Sequence, residues 1–207
     1  ERDYDWLGAA DFYRKALNLV PETHFLKLGR VQEKIGYAFY RAGMQAESVN
    51  EFRDRMRRAV SDYERAKEFY GRLSEPAKMQ WMLRCDAMIA YVGCWLASDV
   101  SEKKRLLDDC WRLTKEALKA FEETGDALEF GKTYNQLSSM AHLVCALEWN
   151  FQAREKVVRE AIEFGERAVT LLSGVGNSSE LARAYVETAT YLTMLSYIFI
   201  PDMDDKE

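Results

Sequence analysis

The sequence predicts an all-α chain, a stacked array of antiparallel helix pairs with about eight long helices. Three observations carry that prediction. The first is an internal repeat of about 51 residues, seen four times: Arg14-Lys15-Ala16-Leu17 returns as Glu64-Arg65-Ala66-Lys67, Lys115-Glu116-Ala117-Leu118 and Glu166-Arg167-Ala168-Val169. Fixed-period self-similarity of this kind marks one supersecondary unit stacked on copies of itself. The second is that small residues recur on one helical face. The third is that no segment alternates with period two in the manner of a strand.

The alanine column defines a helix B. Seven residues before each central alanine lies another small residue: Ala9, Ala59, Cys110 and Ala161. Ten before sits a larger apolar one (Trp6, Met56, Leu107, Val158), and four after comes Val20, Tyr70, Phe121 or Leu172. Those offsets share one helix face, and small residues a heptad apart let a neighbouring helix approach closely. A helix A precedes each later helix B. Its columns are Leu28, Met79, Phe130, Leu181, then Gly36, Ala87, Ser138, Ala189, then Gly43, Cys94, Cys145, Ser196, all at 51-residue spacing. The alanines are 50, 51 and 51 positions apart, so the first helix B is expected one residue out of phase.

The elements follow in order. A helix B over 1–20 ends at Pro21-Glu22-Thr23. Hairpins over 22–73, 75–124 and 126–173 follow, then a last helix A over 178–199. Ser74-Glu75-Pro76 supplies a cap and a first-turn proline, while Ser101 and Asn177-Ser178-Ser179-Glu180 offer further caps. Gly43, Gly125 and Gly174-Val175-Gly176 are expected to stop helices. With short turns each helix averages roughly 22 residues, about 33 Å. All 207 residues read as a single repeat domain. The start on a lone helix B and the stop after a lone helix A suggest a piece of a longer protein.

Composition narrows the function. A net charge of −5 argues against a general nucleic-acid binder. No apolar run approaches the roughly 20 residues that span a bilayer. Cys94, Cys110 and Cys145 occupy small-residue columns and read as reduced packing residues, which suits a cytoplasmic setting. His24 and His142 lack metal-ligand spacing, so no cofactor or metal is expected. Ser173-Gly174-Val175-Gly176-Asn177-Ser178 has no following Lys-Ser/Thr and reads as a loop. Asp108-Asp109 and Glu122-Glu123 point apart on helices, and no nucleophile meets a base, so an enzyme is not expected. Arg53, Arg55, Arg57 and Arg58 interleave with acidic residues and read as a salt-bridged face.

At these columns the chain resembles the tetratricopeptide (TPR-like) superfamily. The motifs are Ile35-Gly36-x-x-Phe39 on a helix A, and Ala9-x-x-x-Tyr13-x-x-Ala16 followed by Pro21 on a helix B, with Ala59-x-x-x-Tyr63-x-x-Ala66 as a second copy. The period exceeds the family's usual 34 by about 17 residues, which lengthens each helix by roughly two turns. The resemblance implies a right-handed superhelical array that binds a protein or peptide in a groove lined by A helices. Carried onto this sequence, the groove candidates are Arg30, Tyr37, Tyr40, Arg41, Trp81, Arg84, Met88, Tyr91, Lys132, Asn135, His142 and Arg183. Such aromatic and basic residues suit an acidic or amphipathic partner segment, and the alternative for Tyr40, Trp81 and Tyr91 is burial between adjacent hairpins. Lys132 and Asn135 only hint at the family's carboxylate clamp. The leading expectation is thus a non-catalytic interaction scaffold. A ligand-sensing segment of a larger signalling protein is the second expectation. Self-assembly through exposed terminal helices ending at Tyr197-Ile198-Phe199-Ile200 is the third.

Overall fold

The computed structural model describes residues 4–74 and 78–199. Those residues form eight α-helices, and no strand occurs among them: α1 (Trp6–Leu17), α2 (Phe25–Met44), α3 (Val49–Tyr70), α4 (Met79–Leu96), α5 (Val100–Thr124), α6 (Ala127–Leu147), α7 (Phe151–Ser173) and α8 (Ser178–Met194). A π-helical turn, Leu195–Phe199, follows α8. Adjacent helices pack antiparallel, so the chain is a helical-repeat protein. Of the expected start and end segments, Glu75-Pro76 and Ile200 lie outside the described residues. None of the described helices is long and apolar enough to cross a membrane.

Local chemistry sets the helix ends. Asp5, Ser48, Asp126, Asn150 and Asn177 each accept a hydrogen bond from a backbone N–H of the first turn, satisfying an otherwise orphaned donor. Asp99, not Ser101, caps α5, accepting from the Glu102 N–H at 2.9 Å. An ionised carboxylate one residue before the helix is the stronger acceptor for those dipoles. Gly125 follows the end of α5 and Gly176 lies in the connection after α7, both at positive φ (69° and 75°), where a side chain would be strained. Gly43 lies one residue before the end of α2, which Gln45 caps; it is buried there, and a Cβ would sit 3.0 Å from the Met56 side chain of α3.

The contacts gather the chain into two compact units, 1–117 and 118–207, and α5 spans the division. In the first unit, α1, α2, α3 and α4 pack around Ala10, Ile35, Ala38, Phe39, Met56, Ala59, Tyr63 and Val92. In the second, Tyr134, Ala168, Leu172 and Ala184 form one buried cluster, and Leu137, Met140, Val158, Ala161 and Tyr191 are buried as well.

The small-residue columns do what their spacing predicted. Ala66, Ala117 and Ala168 are fully buried. α2 receives α3, and α6 receives α7, at small residues: Gly29 against the Tyr70 ring, Gly36 against Tyr63 and the Ala59 carbonyl, and Gly131 against Leu172. The first repeat corrects the expected phase. α1 packs its core side through Trp6, Ala10, Tyr13 and Leu17, while Ala9 is only half-buried and Ala16 is exposed. The Ala9/Tyr13/Ala16 motif therefore does not form the repeat seam. Counted back at an unbroken 51-residue spacing, the positions that match Met56, Ala59, Tyr63, Ala66 and Tyr70 are Asp5, Gly8, Phe12, Lys15 and Leu19. The last repeat departs too, since Ala189 and Ser196 of that column are exposed.

Candidate functional site

In the first unit, repeat-equivalent positions of α2 and α4 meet side by side. Glu33 accepts two hydrogen bonds from the Arg84 guanidinium 51 residues on, one through Nε at 2.9 Å and one through Nη2. It also accepts from the Tyr70 hydroxyl at 2.7 Å and from Cys85 Sγ at 3.7 Å. Arg30 and Arg84 lie over the Trp81 ring at 4.7 and 4.5 Å, and Tyr70 stacks on it at 5.2 Å. Trp81 is buried, and the Arg84 and Glu33 side chains are each 12% exposed. Burial and the Glu33 charge hold the Tyr70 phenol and Cys85 thiol far above their ordinary range, so both stay protonated. Arg30, Trp81 and Arg84 are thereby engaged within the protein. They fasten α2 to α4.

One turn-step further along, the chemistry changes. Trp6 of α1 meets Tyr37 edge-on at 5.8 Å, Tyr37 lies 6.2 Å from Tyr40, and Tyr40 lies 5.7 Å from Tyr91 of α4. The Tyr40 and Tyr91 hydroxyls are 3.3 Å apart. Arg41 donates to the Tyr37 hydroxyl at 3.0 Å and sits over the Trp6 ring at 5.0 Å. Trp6, Tyr37, Tyr40, Arg41, Met88 and Tyr91 are all half-buried. Helix spacing explains the row: 37, 40 and 41 lie on one face of α2, and the 51-residue repeat puts 88 and 91 beside them. Trp6 was not among the sequence candidates, because it belongs to a helix B column.

In the second unit, the candidates join acidic partners. Asn135 is fully buried and donates to the Glu180 carbonyl and carboxylate at 2.9 and 3.0 Å. Lys132 pairs with Glu129 at 3.0 Å, one turn back on α6. Lys132 and Asn135 thus serve two separate acidic groups rather than a common clamp. Arg183 donates to Ser139 at 2.8 Å, and Ser139 in turn donates to Glu187, also at 2.8 Å. His142 packs on Tyr191 with 4.8 Å between ring centroids and approaches Glu187 at 3.8 Å. Glu180 and Glu187, absent from the sequence candidates, are the hubs here. Their lone signal was an acidic residue where the preceding repeat has Glu129 or Gln136.

The remaining motifs fall where ordinary packing puts them. Arg55 bonds the Ala42 carbonyl and pairs with Glu51, Arg57 pairs with Asp54, and Arg58 lies over Phe39. His24 precedes α2 without a side-chain cap bond. Residues 174–177 form the α7–α8 connection. Among the described residues no group of three or more His, Cys, Asp or Glu side chains is placed to hold a metal ion.

No family model and no curated protein matches the chain. Among solved structures it is similar to a chain of the DHF58 filament, at 17% identity over 92% of each chain and a TM-score of 0.33. It is also similar to the de novo designed helical repeat protein DHR64, at 19% identity over 92% of each chain and a TM-score of 0.31. Superpositions this loose transfer no property to the chain.

Proposed function

We propose that this protein is a non-catalytic scaffold of the TPR-like type that captures a helical protein segment on the Trp6–Tyr37–Tyr40–Tyr91 row of its first unit. The half-buried aromatic row with Arg41 at its edge is the observation that carries the reading. Rigid aromatic rings offer contact area at small entropic cost, and a planar guanidinium beside them favours an acidic or amphipathic partner. Trp81 and Arg84 position α2 against α4 and hold the row in place, without touching the partner themselves.

The test is a selection of helical peptides by display on the 207-residue chain, followed by binding to Tyr37→Ala and Arg41→Glu variants. Both changes should weaken the selected peptides at least about tenfold, in the range of an ordinary interface hot spot. An Arg105→Glu variant, altered on the exposed face of α5, should bind them normally. Peptides that bind all three variants equally would reject the assignment.

A further inference from the structure

We infer that this chain also binds a second copy of itself head to tail, the outward face of α1 docking on the outward face of α8. The two faces are the unmatched halves of a contact that the chain makes internally. In the first hairpin, Gly29 meets Tyr70, Gly36 meets the Ala59 carbonyl, and Gln32 donates to Asp62 at 2.6 Å. In the hairpin of α6 and α7 the positions 102 residues on repeat this: Gly131 meets Leu172, the Ser138 hydroxyl donates to the Ala161 carbonyl at 3.3 Å, and Tyr134 lies 5.9 Å from Phe164.

Another step of 51 along the A column gives Ala182, Tyr185 and Ala189 on α8, all exposed, with Tyr185 at 55%. A step of 51 back along the B column gives Gly8, Asp11 and Leu19 on and just beyond α1, with Leu19 85% exposed. Phe12, the counterpart of buried Tyr63, is 71% exposed. The junction therefore pairs Ala182 with Leu19, Ala189 with the Gly8 backbone, and the Tyr185 hydroxyl with the Asp11 carboxylate, which already accepts from Arg14 at 3.3 Å and keeps a second oxygen for the tyrosine. Small residues again lie opposite large ones, and a donor lies opposite an acceptor. This continuity with two existing seams is what selects a second copy over an unrelated partner. The surface is separate from the aromatic row.

One residue tempers the contact. Lys15 stands where Ala66, Ala117 and Ala168 are fully buried, with its ammonium over the Phe12 ring at 5.2 Å. A lysine in that column must bend its charge out of the seam, so association is weak and reversible. A contact between two different faces also propagates rather than closing as a two-fold dimer.

Sedimentation velocity over a wide concentration series tests this. The chain should associate beyond a dimer, and Lys15→Ala should tighten association about tenfold, equivalent to roughly 1.4 kcal/mol. Phe12→Glu and Ala189→Arg, both at exposed positions, should each leave a helical monomer. Mixing those two variants should restore a one-to-one dimer, because each keeps the face the other has lost. A Lys15→Ala chain that stays monomeric would overturn the proposal. Loss of association in Ala189→Arg but not in Phe12→Glu would overturn it as well, in favour of α8 pairing with its own copy.

Discussion

Asp62, which is buried, and Glu33, which is largely covered, are two acids of the first unit with opposite surroundings. Glu33 faces Arg84, Tyr70 and Cys85, so its charge is compensated by donors from two other helices. Asp62 has one neutral donor, Gln32, and burial pushes its carboxyl above the usual range despite the counter-pull of Arg14, Arg65 and Arg58. A folded-state pKa above the unfolded value means stability that is complete below the unfolded pKa, near about 3.9, and is lost as pH rises through the folded pKa. At neutral pH the ionised Asp62 is thus a net cost relative to a neutral isostere. Asp62→Asn should raise the melting temperature by a few degrees at pH 7, and the gain should shrink to nothing as pH falls toward the unfolded pKa. Thermal melts across that range decide it. A variant less stable than the parent at pH 7 would mean that the three arginines and Gln32 outweigh burial.

At the level of helix pairs, the glycines separate packing from propensity. A Cβ at Gly29 would lie 2.4 Å from the Tyr70 ring, which is held by Trp81 on its face and Glu33 at its hydroxyl. A ring fixed at both ends cannot move aside, so overpacking of about 1–3 kcal/mol outweighs the roughly 1 kcal/mol that alanine gains in helix propensity. Gly29→Ala should destabilise by about 1 kcal/mol or more. Gly93 on α4 is the control, since its Cβ would meet Leu106 at an ordinary 3.6 Å. Gly93→Ala should stabilise by about 0.5–1 kcal/mol. Urea unfolding measures both, and equal effects at the two sites would refute the steric account.

Across the whole molecule, the division into two units has a chemical reporter in the cysteines. Cys85, Cys94 and Cys110 belong to the first unit and Cys145 to the second, all reduced and buried. Burial raises all four thiols, which keeps them unreactive until the surrounding helices open. In mild urea, Gly29→Ala should speed labelling of Cys85, Cys94 and Cys110 severalfold and leave Cys145 unchanged. Mass spectrometry of labelled peptides reads each site. Equal acceleration at Cys145 would show the chain opening as one cooperative block.

The helix class, the eight elements and the A and B columns were legible in the sequence, because a 51-residue period and paired small residues are imposed by close helix approach wherever it occurs. The 51-residue period also places Arg84 opposite Glu33 and Tyr91 opposite Tyr40, but that these side chains meet each other, and not a partner in the groove, was visible only in the structure. What only the tertiary structure decided was orientation. Trp81 and Arg84 turn into the α2–α4 seam while Tyr37, Tyr40 and Arg41 stay half open, and α1 packs through Trp6, Ala10, Tyr13 and Leu17 while Ala16 is left exposed. A column of residue types specifies which face is narrow, but neighbouring helices determine which faces are covered. Side chains at the same repeat position are buried at Ser138 and exposed at Ala189 for that reason alone.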